Sequence, residues 1–243
     1  MPSKNEIKYI RSLGLKKARA EHGVFVAEGE KLVRHLIKLL GQPTHCYTTL
    51  NFFTPYAEVV SEAEMNKLTL LKTPSTVMAV FNQPQPNLKP FETASTVVLD
   101  AIRDPGNLGT ILRLCDWFGI KQVICSNDCV DVYNEKVVQA SMGSVAAVEV
   151  LYADRNTIVA AAKENDAALL GTDMDGEDVF HFIWPQKFGL IVGNEGQGMS
   201  QELRSALNGV LRIPAAPTAK AESLNAAMAT AVLLGHYAAK VKP

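Results

Sequence analysis

Three stretches of this 243-residue chain carry side chains that can do chemistry. The first runs Leu99-Asp100-Ala101-Ile102-Arg103-Asp104-Pro105-Gly106-Asn107 and on to Arg113. An apolar run ends, a Pro-Gly turn follows, and a helical pattern begins. Ligands of open α/β sheets bind beyond the carboxyl ends of the strands, where this turn would lie. Asn107 is the expected N-cap, and Arg113 follows a little under two turns into the helix. Alone, the stretch reads equally as a capped helix with one exposed arginine.

The second stretch is Leu190-Ile191-Val192-Gly193-Asn194-Glu195-Gly196-Gln197-Gly198-Met199-Ser200. Its glycines let backbone approach a ligand closely. Their order reverses the dinucleotide fingerprint, and no acid stands at the expected place downstream, which argues against a nicotinamide cofactor. Alone, the loop is also a flexible turn. The third stretch is Leu211-Arg212-Ile213-Pro214, a polar loop, then Glu222-Ser223-Leu224-Asn225 opening an alanine-rich helix that Ser223 is expected to cap. The alanines permit very close packing, as at a dimer interface or where a chain threads past itself.

The elements that must position these stretches follow from apolar spacing. Over residues 5–15, Ile7, Ile10, Leu13 and Leu15 lie near helical spacing, punctuated by Gly14 and then Gly23. A strand at 24–26, a helix at 30–40, strands at 44–48 and 77–81 and a helical piece at 61–71 complete a small α/β unit. Three prolines within residues 84–90 break regular structure and mark a linker. The expected division is therefore 1–82, a linker at 83–95, and a second domain at 96–243. In that domain, strands are expected at 97–99, 123–124, 168–170, 190–192 and 210–213. Helices are expected at 107–118, 134–142, 158–163, 200–207 and 223–239. Apolar strands alternating with helices predict an α/β fold with a parallel sheet covered on both faces.

Composition narrows the class. With 47% hydrophobic and 20% charged residues, the chain is ordinary globular protein. Its formal net charge is −1, yet residues 1–23 hold six basic side chains against two acidic ones. That local basicity is either a solvated helix face or a phosphate-binding one. Cys46, Cys115, Cys125 and Cys129 lack zinc-ligand spacing and read as reduced, buried thiols. There is no apolar signal core and no run long enough to span a bilayer, so a cytoplasmic protein without membrane attachment is expected.

In this order and at these separations, the three stretches resemble the three motifs of the SpoU-like (TrmH-like) RNA ribose methyltransferases of the SPOUT superfamily, over roughly residues 96–237. The stretch Ile7-Lys8-Tyr9-Ile10-Arg11-Ser12-Leu13, with Arg19 and Phe25-Val26-Ala27-Glu28-Gly29, resembles the substrate-binding domain often attached to those enzymes. The chain departs from the family's usual pattern at Ala215 and at Ala226-Ala227.

The resemblance implies a deep trefoil knot in the catalytic domain, S-adenosyl-L-methionine (AdoMet) as methyl donor, and no metal. It places the cofactor against Gly193, Asn194, Gly196, Gly198, Ile213 and Leu224, with Thr172 and Asp173 bordering the pocket. It implies a homodimer in which Arg113 reaches the partner's pocket, and an active site of Asn107, Arg113, Glu195, Ser223 and Asn225. The reaction it implies is attack of a ribose 2′-hydroxyl on the sulfonium methyl. Arg113 then orients a phosphate and stabilises the alkoxide, since a guanidinium keeps its proton to a pKa above about 12. Glu195 would shape its loop, and Asn225 would position the cofactor or the ribose. Lys4, Lys8, Arg11, Lys16, Lys17 and Arg19 would track RNA phosphates. Tyr9 could stack on a base, while Phe25 is expected in the core. The two-domain layout favours ribosomal over transfer RNA. The alternatives are a transfer RNA ribose methyltransferase, a base methyltransferase and an RNA-binding module without turnover.

Overall fold

The computed structural model describes residues 2–194 and 196–240. Glu195, assigned above to the glycine loop, lies outside the described residues. The chain divides into two compact units: Met1–Gln85 with Asp131–Ala147, and Pro86–Val130 with Val148–Pro243.

In the first unit, α1 (Lys4–Ser12) opens on a capping box. The Ser3 hydroxyl accepts from the Glu6 amide, and the Glu6 carboxylate accepts from the Ser3 amide. The helical segment expected at 5–15 is α1, which ends at Ser12; the chain turns at Leu13–Leu15 and enters a further helix, α2 (Lys16–His22). Gly23, at φ +64°, ends α2 and leads into β1 (Val24–Glu28). There follow α3 (Glu30–Leu40), β2 (His45–Thr48), β3 (Glu58–Val59), α4 (Glu62–Leu68) and β4 (Val77–Asn82). The sheet order is β1-β4-β2-β3, with β1–β4 and β2–β4 antiparallel and β2–β3 parallel. Ile10, Leu13, Val26, Met65, Leu68 and Val80 form its core. Phe25 is fully buried, with its ring 5.8 Å from Phe81 and 5.1 Å from Tyr133. Tyr133 and the helix Glu135–Ser141 belong to this unit although they lie far along the sequence.

Arg19 is a correction. Its side chain is only 4% exposed, so it cannot track a phosphate. Its Nε donates to the Asp131 carboxylate at 3.1 Å, and its Nη1 donates to the Leu13 and Gly14 carbonyls at 2.8 and 3.0 Å. The guanidinium satisfies carbonyls left open where α1 ends. Removing one partner of a buried pair strands the other charge. Arg19→Ala is therefore expected to cost about 3–5 kcal/mol, read as a lower urea midpoint, with Arg19→Ala/Asp131→Ala recovering part of the loss. The other basic residues are exposed: Lys4, Lys8 and Arg11 share one face of α1, and Lys16 and Lys17 begin α2.

The second unit contains β5 (Ser95–Leu99), α5 (Pro105–Trp117) and β6 (Gln122–Ser126). With the helix Glu135–Ser141 counted as α6, it continues with β7 (Glu149–Ala153), α7 (Arg155–Glu164), β8 (Ala168–Asp178) and β9 (Phe188–Val192). It ends with α8 (Gln201–Arg204), β10 (Gly209–Arg212) and α9 (Ala226–Lys240). All six strands pair in parallel, in the order β10-β8-β9-β5-β6-β7. β5 and β9 lie side by side at the centre and are buried throughout, as continuous apolar runs require. From β5 the chain moves outward through β6 and β7, then crosses to the other side for β8 and β9. The carboxyl ends of β5 and β9 therefore flank a topological switch point, where open α/β sheets bind ligands. The edge strand β7 was not expected; its residues are all half-buried and give a weak apolar signal. Among the described residues, no helix is long and apolar enough to cross a membrane. All four cysteines are free and buried.

Candidate active site

Helix α5 starts earlier than the sequence suggests. Asp104 is its N-cap, accepting from the Asn107 amide at 2.8 Å, and Pro105 takes the first helical position, where its missing N–H costs nothing. Asn107 is thus inside the first turn and is not the cap. Its Oδ1 accepts instead from Asn225 Nδ2 at 3.0 Å. Asn225, not Ser223, caps α9: its Oδ1 accepts from the Ala227 and Met228 amides at 3.0 and 3.3 Å. One asparagine thereby ties together the N-termini of two helices 118 residues apart in sequence.

The glycine loop after β9 closes on itself. The Asn194 amide donates to the Gly198 carbonyl at 3.0 Å, and the Gly198 amide returns the bond at 2.8 Å. Inside the loop, Asn194 Oδ1 accepts from the Gly196 and Gln197 amides, while its Nδ2 reaches back to the Ala101 carbonyl at 2.9 Å. Gly193 is required by space. A Cβ there would lie 2.7 Å from Gly198 C and 2.8 Å from Met199 N.

A third wall comes from β8. Val210 pairs with Gly171, but the next residue, Leu211, pairs with Glu177. Residues 172–176 therefore leave the ladder and bulge out between Val210 and Leu211 of β10. Gly176 closes the bulge against β10, where a Cβ would lie 2.6 Å from Leu211 C.

Between these walls is a cavity of about 250 Å³. Thr172, Asp173 and Met174 line it from the bulge, and Gly193, Asn194, Gly198 and Met199 from the loop. Leu211, Ile213, Ser223 and Leu224 add the end of β10 and the approach to α9. Ala226, Ala229 and Leu233 present one face of α9, and Arg204 enters from α8. Arg204 Nη1 donates to Asp173 Oδ2 at 2.9 Å. That bond, with one from the Met174 amide, holds the Asp173 carboxyl below its ordinary pKa, so it is ionised at neutral pH.

The cavity gathers most of the residues expected at a cofactor site: Thr172, Asp173, Gly193, Asn194, Gly198, Ile213, Ser223 and Leu224. Gly196 is exposed and does not line the wall. Asn107 adjoins it through Asn225. Arg113 is exposed on α5, outside the wall, with no hydrogen bond or ion pair among the described residues. Sequence reasoning missed Met174, Met199, Arg204 and Leu211. It also missed Ala226, Ala229 and Leu233, though their spacing of three and four marks one helix face.

These walls fit AdoMet. The alanine and leucine face can receive an apolar heterocycle, uncovered backbone at Gly193 and Gly198 can meet its polar edge, and the Asp173 carboxylate can accept from hydroxyl or ammonium groups.

Comparison with known proteins agrees with this geometry. Residues 94–235 match the SpoU rRNA Methylase family, and residues 4–79 match the MRM3-like substrate binding domain. The chain is 31% identical over 250 residues to the 23S rRNA (guanosine(2553)-2'-O)-methyltransferase RlmP of Bacillus subtilis, covering 96% of both. It is 33% identical over 173 residues to the 23S rRNA (uridine(2479)-2'-O)-methyltransferase of Streptomyces viridochromogenes, covering 67% of this chain and 60% of that one. Its fold matches the AdoMet-bound rRNA methyltransferase from Sinorhizobium meliloti with a TM-score of 0.86 at 28% identity, covering 100% of this chain and 98% of that one. A parallel sheet with its cavity built from β8, the loop after β9, the end of β10 and α9, and a family match spanning that whole sheet, lead to one assignment: the chain belongs to the SpoU rRNA methylase family.

Proposed function

We propose that this protein transfers a methyl group from AdoMet to a ribose 2′-hydroxyl of ribosomal RNA, acting as a homodimer in the cytoplasm. The observation that carries this reading is the cavity itself, walled by Gly193, Ile213 and Leu224 and adjoining the Asn107–Asn225 junction. When bound, AdoMet supplies an activated methyl on a sulfonium, so the protein need only align the acceptor and manage its proton. The walls bury the cofactor, and Asn107 and Asn225 fix the edge where the ribose arrives. Arg113 holds the acceptor's phosphate and stabilises the alkoxide. Ser223 completes the described part of the site.

The dimer reading rests on the surface around Arg113. On the same helix Trp117 is 83% exposed, and on the neighbouring segment Met228 and Leu224 are 56% and 51% exposed. Pairing two copies through α5 and α9 would cover these side chains and carry Arg113 into the partner's cavity. The final segment from β10 into α9 is assigned the deep trefoil knot of the family. Lys4, Lys8, Arg11, Lys16 and Lys17 give the first unit an exposed basic edge for RNA phosphates. The names of the relatives favour ribosomal RNA.

Transfer of labelled methyl from AdoMet to size-fractionated total RNA, with the nucleosides identified by mass spectrometry, tests the reading. A 2′-O-methyl nucleoside in the large ribosomal fraction is expected. Label in transfer RNA would move the substrate, and AdoMet binding without transfer to any RNA would replace the enzyme by a binding module.

A further inference from the structure

The glycine loop is also held from beneath by groups that never reach the cavity. Asp100, the first residue past β5, is 1% exposed. Its amide extends the β5–β9 pairing to the Val192 carbonyl at 2.9 Å. Its Oδ1 accepts from Arg155 Nε at 2.8 Å, and its Oδ2 accepts from the Ser200 amide at 2.6 Å. Ser200 is the N-cap of α8 and follows the loop directly, and its own side chain makes no capping bond. The buried carboxylate is therefore what fixes the loop's exit.

Arg155 carries the network further. Its Nη2 donates to Asp128 at 2.9 and 3.0 Å, and Asp128 accepts from the Ser126 hydroxyl at 2.6 Å. That hydroxyl accepts in turn from the Ala101 amide at 2.8 Å, and the Ala101 carbonyl accepts from Asn194. Two arms thus leave one arginine. One reaches the loop's entrance at Asn194 and the other its exit at Ser200. None of Asp100, Ser126, Asp128 and Arg155 lines the cavity. A buried carboxylate is tolerated only when paired and hydrogen-bonded, and this one spends both oxygens on loop and arginine.

We propose that Asp100 is a positioning residue for the cofactor pocket, setting the glycine loop through the Ser200 amide while Arg155 sets Asp100. This rests on the reading of the cavity as the AdoMet site. Asp100→Asn keeps the shape of the side chain but turns one acceptor into a donor, and both groups it faces, Arg155 Nε and Ser200 N, are donors. Arg155→Lys keeps the charge, but a single ammonium lacks the fork that spans Asp100 and Asp128.

The test uses the full chain. Calorimetric titration with AdoMet is compared across wild type, Asp100→Asn and Arg155→Lys, with RNA affinity, thermal melting and methyl-transfer kinetics measured alongside. Asp100→Asn is expected to weaken AdoMet binding about tenfold or more, raising the KM for AdoMet far more than it lowers kcat. RNA affinity is expected to stay unchanged. Arg155→Lys is expected to act in the same direction, less strongly, and supplies the answer if Asp100→Asn does not fold. Wild-type AdoMet affinity in both variants overturns the proposal. So does a parallel loss of AdoMet affinity, RNA affinity and cooperative melting, which would mark a merely structural role. Failure of the wild-type protein to bind AdoMet would overturn the reading of the cavity and this proposal with it.

Discussion

Arg113→Lys is expected to slow methyl transfer at least about a hundredfold while leaving AdoMet affinity at the wild-type level. Arg113 is exposed on α5, makes no polar contact among the described residues and does not line its own chain's cavity. In the proposed dimer it enters the partner's cavity to meet the acceptor's phosphate and the alkoxide, not the cofactor, so AdoMet affinity is expected to be unchanged. Lysine and arginine have nearly equal helix propensity, so α5 should fold unchanged. The substitution also keeps a positive charge. What it removes is the planar fork that can grip a phosphate by two parallel bonds while holding a third donor to the alkoxide. A general-base role predicts the opposite, since an ammonium gives up its proton more readily than a guanidinium and lysine would then retain activity. Single-turnover transfer rates with both substrates saturating separate the chemical step from binding, and calorimetry with AdoMet checks that the pocket is intact. Near-wild-type turnover in Arg113→Lys would remove the phosphate-and-alkoxide role altogether. A loss of AdoMet affinity equal to the loss of rate would mean that Arg113 contacts the cofactor itself instead of the acceptor.

The parts of this molecule that sequence made legible are those whose signal is local. Val97-Val98-Leu99 and Leu190-Ile191-Val192 are unbroken apolar runs, and they are the two buried central strands. The stretches that follow them leave the sheet on the same side because neighbouring parallel strands end together; the second lines the cavity, and the first adjoins it through the Asn107–Asn225 bond. Capping was misread where two allowed residues competed. Asp104 and Asn107 are both good caps, and so are Ser223 and Asn225. In the first case Pro105 could have decided the matter, since proline favours the first helical position. Nothing comparable stands beside Ser223.

Long-range partners were out of reach. Arg19 looks like the other basic residues near the N-terminus, and the acid that buries it lies 112 residues away. Arg204 lines the cavity from α8, and the acid that pairs with it there, Asp173, lies 31 residues earlier. The bulge in β8 was also hidden. Its acidic, glycine-containing run reads as a loop, and only the jump in pairing from Gly171 to Glu177 shows that one strand resumes after it. Residues 131–147 continue the second domain in sequence but belong to the first unit in space, a placement without a local pattern to announce it.

Gly193 and Gly196 look alike in sequence, as spaced glycines of one loop, yet their alanine variants should differ sharply. A Cβ at Gly193 would lie 2.7 Å from Gly198 C, 2.8 Å from Met199 N and 2.9 Å from Gly198 O. All three are backbone atoms, so no flexible side chain can swing aside. The loop could yield only by parting the mutual Asn194–Gly198 hydrogen bonds, and its far end is anchored by the bond from the Ser200 amide to Asp100. Overpacking of this kind costs about 1–3 kcal/mol, or roughly 5- to 150-fold in an equilibrium constant. Because Gly193, Asn194 and Gly198 all line the cavity, that cost should appear as lost AdoMet affinity. A Cβ at Gly196 would meet nothing nearer than Asn194 Oδ1 at 3.6 Å, an ordinary contact, and Gly196 is exposed outside the wall. Gly196→Ala should therefore bind AdoMet within about twofold of wild type, well inside the ±0.5 kcal/mol usual for surface changes. Titrating AdoMet into both variants, with RNA affinity as the control for folding, decides the point. Equal affinities in the two variants would mean that the loop is free to move, and that the tight backbone crossing at Gly193 does not shape the pocket.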